Sequence, residues 1–384
     1  MPAIILHIIS GLEIGGAETA LLRLLKYGLA EEYDCHVLSL AGEGPLSVAM
    51  KECGATLHYP TNKLLMQWPL IGHATLKAIN ELDPLIVQGW MYHGNIAASV
   101  GCRLSRKSPQ LIWNIRASLH NVGSAKWLTR RLIDLGGRLS KQPKAVIYNS
   151  QTSLKLHAAR GYSQATSLVI PNGFDPDLFK PCSTKRRNIR RELNIPAEAI
   201  LVTHLGRFHP DKGQIDFIRA ASKCLLSFPD TFYLMGGPGV DSASVHLQSE
   251  ISNENESQIR IIGARTDADA VLAASDIYVS SSRTESFPNT LGEAMATGLA
   301  SIATDVGDCS LLIGESGKIV PPMDVEALAH AIESFISSKE LRDKIGLNAR
   351  DRIKQNYTIQ VMVTRYSDLY NTVLKAESSN LCVA

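Results

Sequence analysis

Short apolar runs rich in Ile, Val and Leu recur along this chain, with helically spaced stretches between them. They occupy residues 3–9, 36–40, 85–88, 111–114, 145–148 and 168–170, and the rhythm restarts at 200–205, 231–235, 258–262, 277–280, 301–304 and 318–320. A short run without polar alternation is a strand buried on both faces. Both faces of every strand are covered only when the strands lie parallel in one sheet with helices packed above and below. The pattern therefore predicts an α/β chain that builds the same architecture twice.

Length agrees, because 384 residues exceed what one core organises. The junction falls between residues 171 and 196. There the turn signal Pro171-Asn172-Gly173 precedes a basic stretch, 180–191, in which no periodicity is visible. We place the domains at 1–175 and 176–364. An apolar fraction of 45%, a charged fraction of 20% and a formal net charge of +2 exclude disorder and a coiled coil and predict no nucleic-acid partner. The seven cysteines are scattered, without a Cys-x-x-Cys pair, which argues for a reducing compartment and against a disulfide scaffold or zinc knuckle. Residues 3–9 lack the basic flank and cleavage site of a signal peptide. No run reaches the length of about 18 apolar residues that a membrane span needs.

In a parallel sheet, ligands gather at the carboxyl ends of the strands. Arg207 and Lys212 lie just past the run 200–205, in Gly206-Arg207-Phe208-His209-Pro210-Asp211-Lys212-Gly213. A rigid guanidinium fork and a mobile ammonium suit a diphosphate; two solvated surface charges are the plainer alternative. Glu285 and Glu293 follow the run 277–280, in Glu285-Ser286-Phe287-Pro288-Asn289-Thr290-Leu291-Gly292-Glu293. Pro288 places a helix start near Phe287–Asn289, so free N–H groups face an anion there while the carboxylates accept from sugar hydroxyls. Alternatively, one carboxylate is a cap and the other helix surface. Gly292 would admit a ligand or a neighbouring backbone. Arg265, in Ile261-Ile262-Gly263-Ala264-Arg265, marks a loop whose backbone suits a nucleobase edge.

In the first half, Gly15 and Gly16 open a helix after the first run, where an N–H could approach a phosphate. The spacing is not Gly-x-Gly-x-x-Gly, and no acidic residue ends the next strand, which disfavours a hydride-transferring enzyme. His93 follows the run 85–88 and could orient a hydroxyl or move a proton; a packed structural histidine is the alternative. Between residues 103 and 144 stand ten Lys or Arg and one acid, Asp134. Arg103, Arg106, Lys107, Arg116, Lys126, Arg130 and Arg131 read as an acceptor or membrane patch. Leu128, Leu132, Leu135 and Leu139 form a helix stripe within it. The spaced carboxylates Asp267/Asp269 and Asp175/Asp177 read as a helix start and a turn, so no metal is expected.

These motifs resemble glycosyltransferase family four, a group of retaining enzymes that includes bacterial cell-envelope mannosyl-, glucosyl- and N-acetylhexosaminyl-transferases. The resemblance rests on Gly206-Arg207…Lys212-Gly213, the Glu285…Glu293 segment, Gly317…Val320-Pro321-Pro322-Met323-Asp324, Pro171-Asn172-Gly173-Phe174-Asp175 and Gly15-Gly16-Ala17-Glu18. It implies the GT-B fold, two Rossmann-like parallel-sheet domains facing a central cleft, with a last helix at about 365–384 packing back on the first domain. It assigns Arg207 and Lys212 to the donor diphosphate and Glu293 to the ribose. Glu285 goes to the transferred sugar, the backbone of Phe287, Pro288, Asn289, Thr290 and Leu291 to phosphate and sugar, and the Arg265 loop to the base. Where relatives often carry His-x-His, this chain has Gln88 and Trp90, and only His93 stands nearby.

The implied reaction moves a hexose or N-acetylhexosamine from a nucleotide diphosphate sugar to a lipid-linked or envelope saccharide, with retention and without cofactor or metal. Catalysis would rest on Glu285, His93, Arg207 and Lys212, and UDP is favoured over GDP as the donor nucleotide. The basic segment implies a cytoplasmic protein that touches the anionic inner face of the plasma membrane in lipopolysaccharide or capsule synthesis. The rival expectations are a soluble acceptor and a non-catalytic subunit that binds sugar nucleotides.

Overall fold

The computed structural model describes residues 2–60, 68–120, 122–124, 126–241 and 244–381. The chain separates into two compact units, Met1–Gly173 with Ile359–Ala384 and Phe174–Thr358. The last three residues of the expected helix 365–384 lie outside the described residues.

The first unit is a seven-stranded sheet of β1 (Ile4–Ile9), β2 (Asp34–Ser39), β3 (Thr56–His58), β4 (Ile86–Trp90), β5 (Gln110–Ile115), β6 (Ala145–Tyr148) and β7 (Ser167–Val169). Their order is β3-β2-β1-β4-β5-β6-β7, and every pairing is parallel. The second unit has β8 (Leu201–Leu205), β9 (Phe232–Gly236), β10 (Ile259–Ile261), β11 (Ile277–Ser280), β12 (Ala300–Thr304) and β13 (Lys318–Val320). It is also all parallel, in the order β10-β9-β8-β11-β12-β13. The central strands are buried throughout, as their unalternated runs require.

In both sheets the order reverses beside the first strand, between β1 and β4 and between β8 and β11. Loops that leave those strands diverge to opposite faces and leave a crevice at the carboxyl edge. Gly15 follows β1, Arg207 and Lys212 follow β8, and Glu285 follows β11.

The run at 56–58 was not read from sequence. It is a three-residue edge strand, too short to show a pattern. The stretch 180–191 is not an aperiodic linker, because it forms the helix Ser183–Glu192. Tertiary contacts hold that helix where propensity does not. Ile189 and Arg190 are its buried residues, and Arg190 donates to the carbonyls of Ala274, Pro196, Ala197 and Ala199 and to Asp276 at 2.7 Å.

The closing helix, Ile359–Leu381, belongs to the first unit. Ile359, Met362, Val363, Tyr366, Tyr370 and Val373 enter the core on one face of the first sheet. Each such side chain contributes about 1.5–3 kcal/mol when fully buried. Two of them also carry hydroxyls to polar strand residues: Tyr370 to Gln88, and Tyr366 to Asn114 and Arg116.

Candidate active site

β8 delivers Arg207 and Lys212 to the carboxyl edge of the second sheet. Arg207 is exposed, and its guanidinium has no partner among the described residues; its carbonyl accepts from Gln214 Nε2 at 2.8 Å. Lys212 closes the short turn Pro210–Lys212, after which Gly213 starts the helix Gln214–Ser227. Gly213 has φ +65°, in the left-handed region, and a Cβ there would collide with the carbonyl oxygen of Ser281. Ser281 Oγ in turn donates to the carbonyl oxygens of Lys212 and Gly213 at 3.2 and 2.8 Å. The exits of β8 and β11 are therefore sewn together.

Neighbouring loops are joined in the same way. The N–H of Gly206 donates to the Gly236 carbonyl, that of Phe208 to Pro238 and that of Gly237 to Gly263, at 2.9, 2.7 and 2.7 Å. A fixed scaffold of backbone groups results at the ends of β8, β9 and β10.

β11 delivers the carboxylates. Glu285 Oε1 accepts from Lys212 Nζ at 2.5 Å and from Ser282 Oγ at 2.8 Å. The residues assigned separately to phosphate and to sugar thus form one ion pair, largely screened from solvent. Ser282 was not singled out from sequence, where Ser280-Ser281-Ser282 reads as an ordinary strand exit. Tyr278 was also missed. Its hydroxyl donates to Thr290 Oγ1 at 2.7 Å and fixes that side chain in the first turn of the helix Asn289–Thr297. Burial raises the Tyr278 pKa, and the charges of Glu285 and Glu293 add to the rise, so both carboxylates act on the same hydroxyl.

Pro288 caps the helix Asn289–Thr297, and Glu293 is its fifth residue, 7% exposed. Phe287 and Leu291 are core residues, and the Phe287 ring stacks on Phe174 with centroids 6.2 Å apart. These two side chains face inward, which leaves their backbone for a ligand. Gly292 serves the core as well. A Cβ there would strike the Phe174 ring, so the glycine makes room for an aromatic side chain and not for a ligand or a neighbouring backbone.

The Arg265 guanidinium is fully committed. It holds Asp267 through Nε and Nη2, both at 2.7 Å, and Glu192 through Nη1 at 2.5 Å. These carboxylates push its pKa up, and the guanidinium in turn pulls that of Asp267 down. Its side chain shapes the loop, and any base contact falls to the backbone. Asp267 caps the helix Ala268–Ala274, as the spacing suggested.

In the first unit, Gly15 is the N-cap of the helix Gly16–Leu24, and Glu18 Oε2 fills the space a Gly15 Cβ would need. Burial raises the Glu18 pKa above the usual carboxylate value. His93 is the third residue of the helix Met91–Leu104, which follows β4 directly, and burial lowers its pKa and favours the neutral imidazole.

The basic segment divides. Arg116 leaves the surface patch, because it is only 9% exposed at the end of β5. Lys107 pairs with Asp83 at 2.7 Å, and Asp134 with Arg160 at 3.4 Å. In the helix Trp127–Leu139 the buried face is Leu132, Ile133, Gly136 and Gly137, while Leu135 points outward. The expected leucine stripe was displaced because two glycines let the helix lie close to its neighbours: the Tyr162 ring fills the space beside Gly136, and the Arg160 carbonyl approaches Gly137. Lys126, Arg130, Arg131 and Arg138 share the exposed face with Leu135 and Trp127. Trp127 is 63% exposed, and the Arg131 guanidinium lies 5.5 Å from its ring centroid.

Two family models cover these elements. Glycosyl transferases group 1 matches residues 185–352, and Glycosyltransferase Family 4 matches residues 14–178. The chain belongs to glycosyltransferase family 4. It is 26% identical over 206 residues to the UDP-Gal:alpha-D-GlcNAc-diphosphoundecaprenol alpha-1,3-galactosyltransferase of Escherichia coli, a match that covers 53% of each chain. It is 27% identical over 295 residues to the lipopolysaccharide core biosynthesis mannosyltransferase LpcC of Rhizobium leguminosarum bv. viciae, covering 74% of this chain and 78% of that one. The chain spans about half the length of the first curated relatives it matches. Among solved structures, Anabaena HepE in complex with UDP superposes with a TM-score of 0.83 at 21% identity, covering 97% of this chain and all of that one. The fold is GT-B, two Rossmann-like units, as these structural neighbours have it.

Proposed function

We propose that this family 4 member transfers a hexosyl or N-acetylhexosaminyl group from a UDP-sugar to a lipid-linked or cell-envelope saccharide, with retention of configuration. The observation that carries this reading is the Lys212–Glu285 ion pair, with exposed Arg207, whose guanidinium has no partner among the described residues, on the same exit of β8 and the start of the helix Asn289–Thr297 after the neighbouring strand. Two cations leave β8 and a helix begins after β11, the neighbouring strand of the same sheet, and a diphosphate is the ligand whose charge suits both. The relatives named for a diphosphoundecaprenol-linked acceptor and for lipopolysaccharide core support the acceptor class. The HepE complexes with UDP and UDP-glucose support the donor.

As the bond from C1 to the diphosphate lengthens, negative charge grows on the leaving oxygen and positive charge on the sugar. Arg207, Lys212 and the helix N–H groups stabilise the first, and preorganised charges of this kind supply much of the acceleration. Glu285 stands beside Lys212, where its carboxylate shields the developing cation and accepts from sugar hydroxyls. Glu293 holds the ribose, and neutral His93 hydrogen-bonds a sugar hydroxyl. The departing phosphate oxygen takes the acceptor proton, so the two glutamates are not a hydrolytic pair.

The exposed face of the helix Trp127–Leu139 supports peripheral contact with anionic lipid, and no helix among the described residues is long and apolar enough to cross a membrane. Thermal shift with UDP, GDP and their sugars tests the donor, followed by release of UDP in the presence of a polyprenyl-diphosphate-linked N-acetylhexosamine. UDP and its sugars should stabilise the protein and the lipid-linked acceptor should raise UDP release; stabilisation by GDP alone, or no nucleotide response, would sink the reading.

A further inference from the structure

Among the described residues Arg116 has no counter-charge. Its Nη1 donates to the Tyr366 hydroxyl at 3.1 Å and its Nη2 to Asn172 Oδ1, while its Nε has no partner among the described residues. The Trp90 ring centroid lies 6.0 Å away. All of these neighbours are neutral. The charge nearby is another cation, Arg23, and burial pulls the Arg116 pKa below its usual value. The guanidinium nevertheless remains protonated.

A buried arginine normally has a carboxylate beside it, because an unpaired internal charge keeps its full desolvation cost. Here the surroundings orient the fork without neutralising it. Arg116 also sits at the carboxyl end of β5, next to the β1/β4 reversal. The turn beside it is strained. Met91 has φ +57°, a left-handed value for a bulky residue, and its Sδ accepts the Arg116 N–H at 3.3 Å. The helix Met91–Leu104 begins at that turn and directs its first N–H groups to the same edge.

We propose that Arg116 is the receptor for a phosphoryl group on the acceptor. The inference rests on the transferase reading above, which assigns the donor diphosphate to Arg207 and Lys212 in the other unit. A guanidinium fork already held by Tyr366 and Asn172 loses little freedom when it grips a phosphoryl oxygen pair. The acceptor class recognised is therefore a phosphorylated one, such as a polyprenyl diphosphate saccharide, and not a neutral sugar.

Inorganic pyrophosphate is the probe, titrated by calorimetry into the full chain carrying Arg207→Gln and Lys212→Gln, so that the donor cations do not contribute. Adding Arg116→Gln should weaken binding at least about tenfold, the loss of one charge-assisted contact, and Arg116→Lys should recover part of it. Both substitutions disturb the contacts to Tyr366 and Asn172 alike, so a purely structural role predicts equal losses. Equal losses, no change, or no pyrophosphate binding in the Arg207→Gln/Lys212→Gln chain would each overturn the proposal. UDP binding to the single Arg116→Gln variant separates the two sources of phosphate. Unchanged UDP affinity assigns Arg116 to the acceptor, and a parallel loss of UDP affinity would move it to the donor and overturn the assignment. If UDP binds the native chain while pyrophosphate ignores Arg116, only this inference fails; if UDP does not bind the native chain, the transferase reading fails instead.

Discussion

Replacing Glu285 with Gln separates binding from chemistry at the candidate site. In the free protein Lys212 is held by Glu285 at 2.5 Å, with the two side chains 26% and 12% exposed. A diphosphate must therefore compete with an internal carboxylate for the same ammonium. A hydrogen bond between charged groups contributes about 1.5–3 kcal/mol, roughly twice a neutral one. Glutamine can still accept from Lys212 and Ser282, so Glu285→Gln removes about half of that restraint, on the order of 1 kcal/mol. Lys212 becomes correspondingly freer, and UDP should bind about fivefold more tightly. Turnover should fall in the opposite direction, by about a hundredfold or more, because the charge beside the developing cation is gone. Lys212→Ala should weaken UDP by about ten- to a hundredfold through loss of the phosphate contact itself. Calorimetry with UDP on both single variants and the double variant closes the cycle, and the gain from Glu285→Gln should vanish once Lys212 is absent, a coupling of about 1 kcal/mol. A Glu285→Gln protein that binds UDP tenfold more weakly would refute the competition argument.

Gly213→Ala should cost more than about 2 kcal/mol in urea denaturation, the left-handed penalty plus the collision with the Ser281 carbonyl. His7, His157 and His204 are buried neutral, with pKa values lowered by burial to about 3, 4 and 4. The unfolded chain binds these protons near pH 6.5 and the native chain does not, so stability present above that pH is lost as the pH falls towards 4, by up to about 1.4 kcal/mol per pH unit for each histidine. His204→Gln should flatten that slope by one proton in urea titrations at pH 7, 6 and 5. Its Nδ1–H donates to the Val279 carbonyl at 3.0 Å and its Nε2 has no partner among the described residues, so the residue is neutral in the fold; an unchanged slope would contradict this assignment. Trp127→Ala with Arg131→Gln should release the protein from anionic vesicles in sedimentation by about tenfold, with roughly 1 kcal/mol from the lost charge and the rest from the ring. Equal sedimentation with neutral vesicles would remove the membrane reading.

Most of the architecture is legible in the chain because both-face burial leaves an unalternated run for every central strand. The run at 85–88 overlaps the observed β4, and the run at 277–280 coincides with β11. What escaped notice was short or held from outside. β3 has three residues and one neighbour strand, and the helix Ser183–Glu192 owes its place to Arg190 and Asp276 rather than to an apolar stripe. The same limit applies to sites. Arg207, Lys212, Glu285 and Glu293 were visible because charge and proline punctuate strand exits. Ser282 and Tyr278 were not, because a serine in a serine run and a tyrosine in a strand give no local signal of what they hydrogen-bond.

By itself, then, the sequence determined the doubled parallel-sheet plan, since apolar periodicity is a local property that survives without coordinates. It also determined which strand exits carry charge. Only the tertiary structure decided how those charges are spent. Lys212 is paired with Glu285, Arg265 is consumed by Asp267 and Glu192, and Arg116 is drawn from the apparent surface patch into a neutral enclosure. The reason is physical: a charge announces itself in one residue, but its partner, or the lack of one, depends on residues up to 250 positions away brought near by the fold.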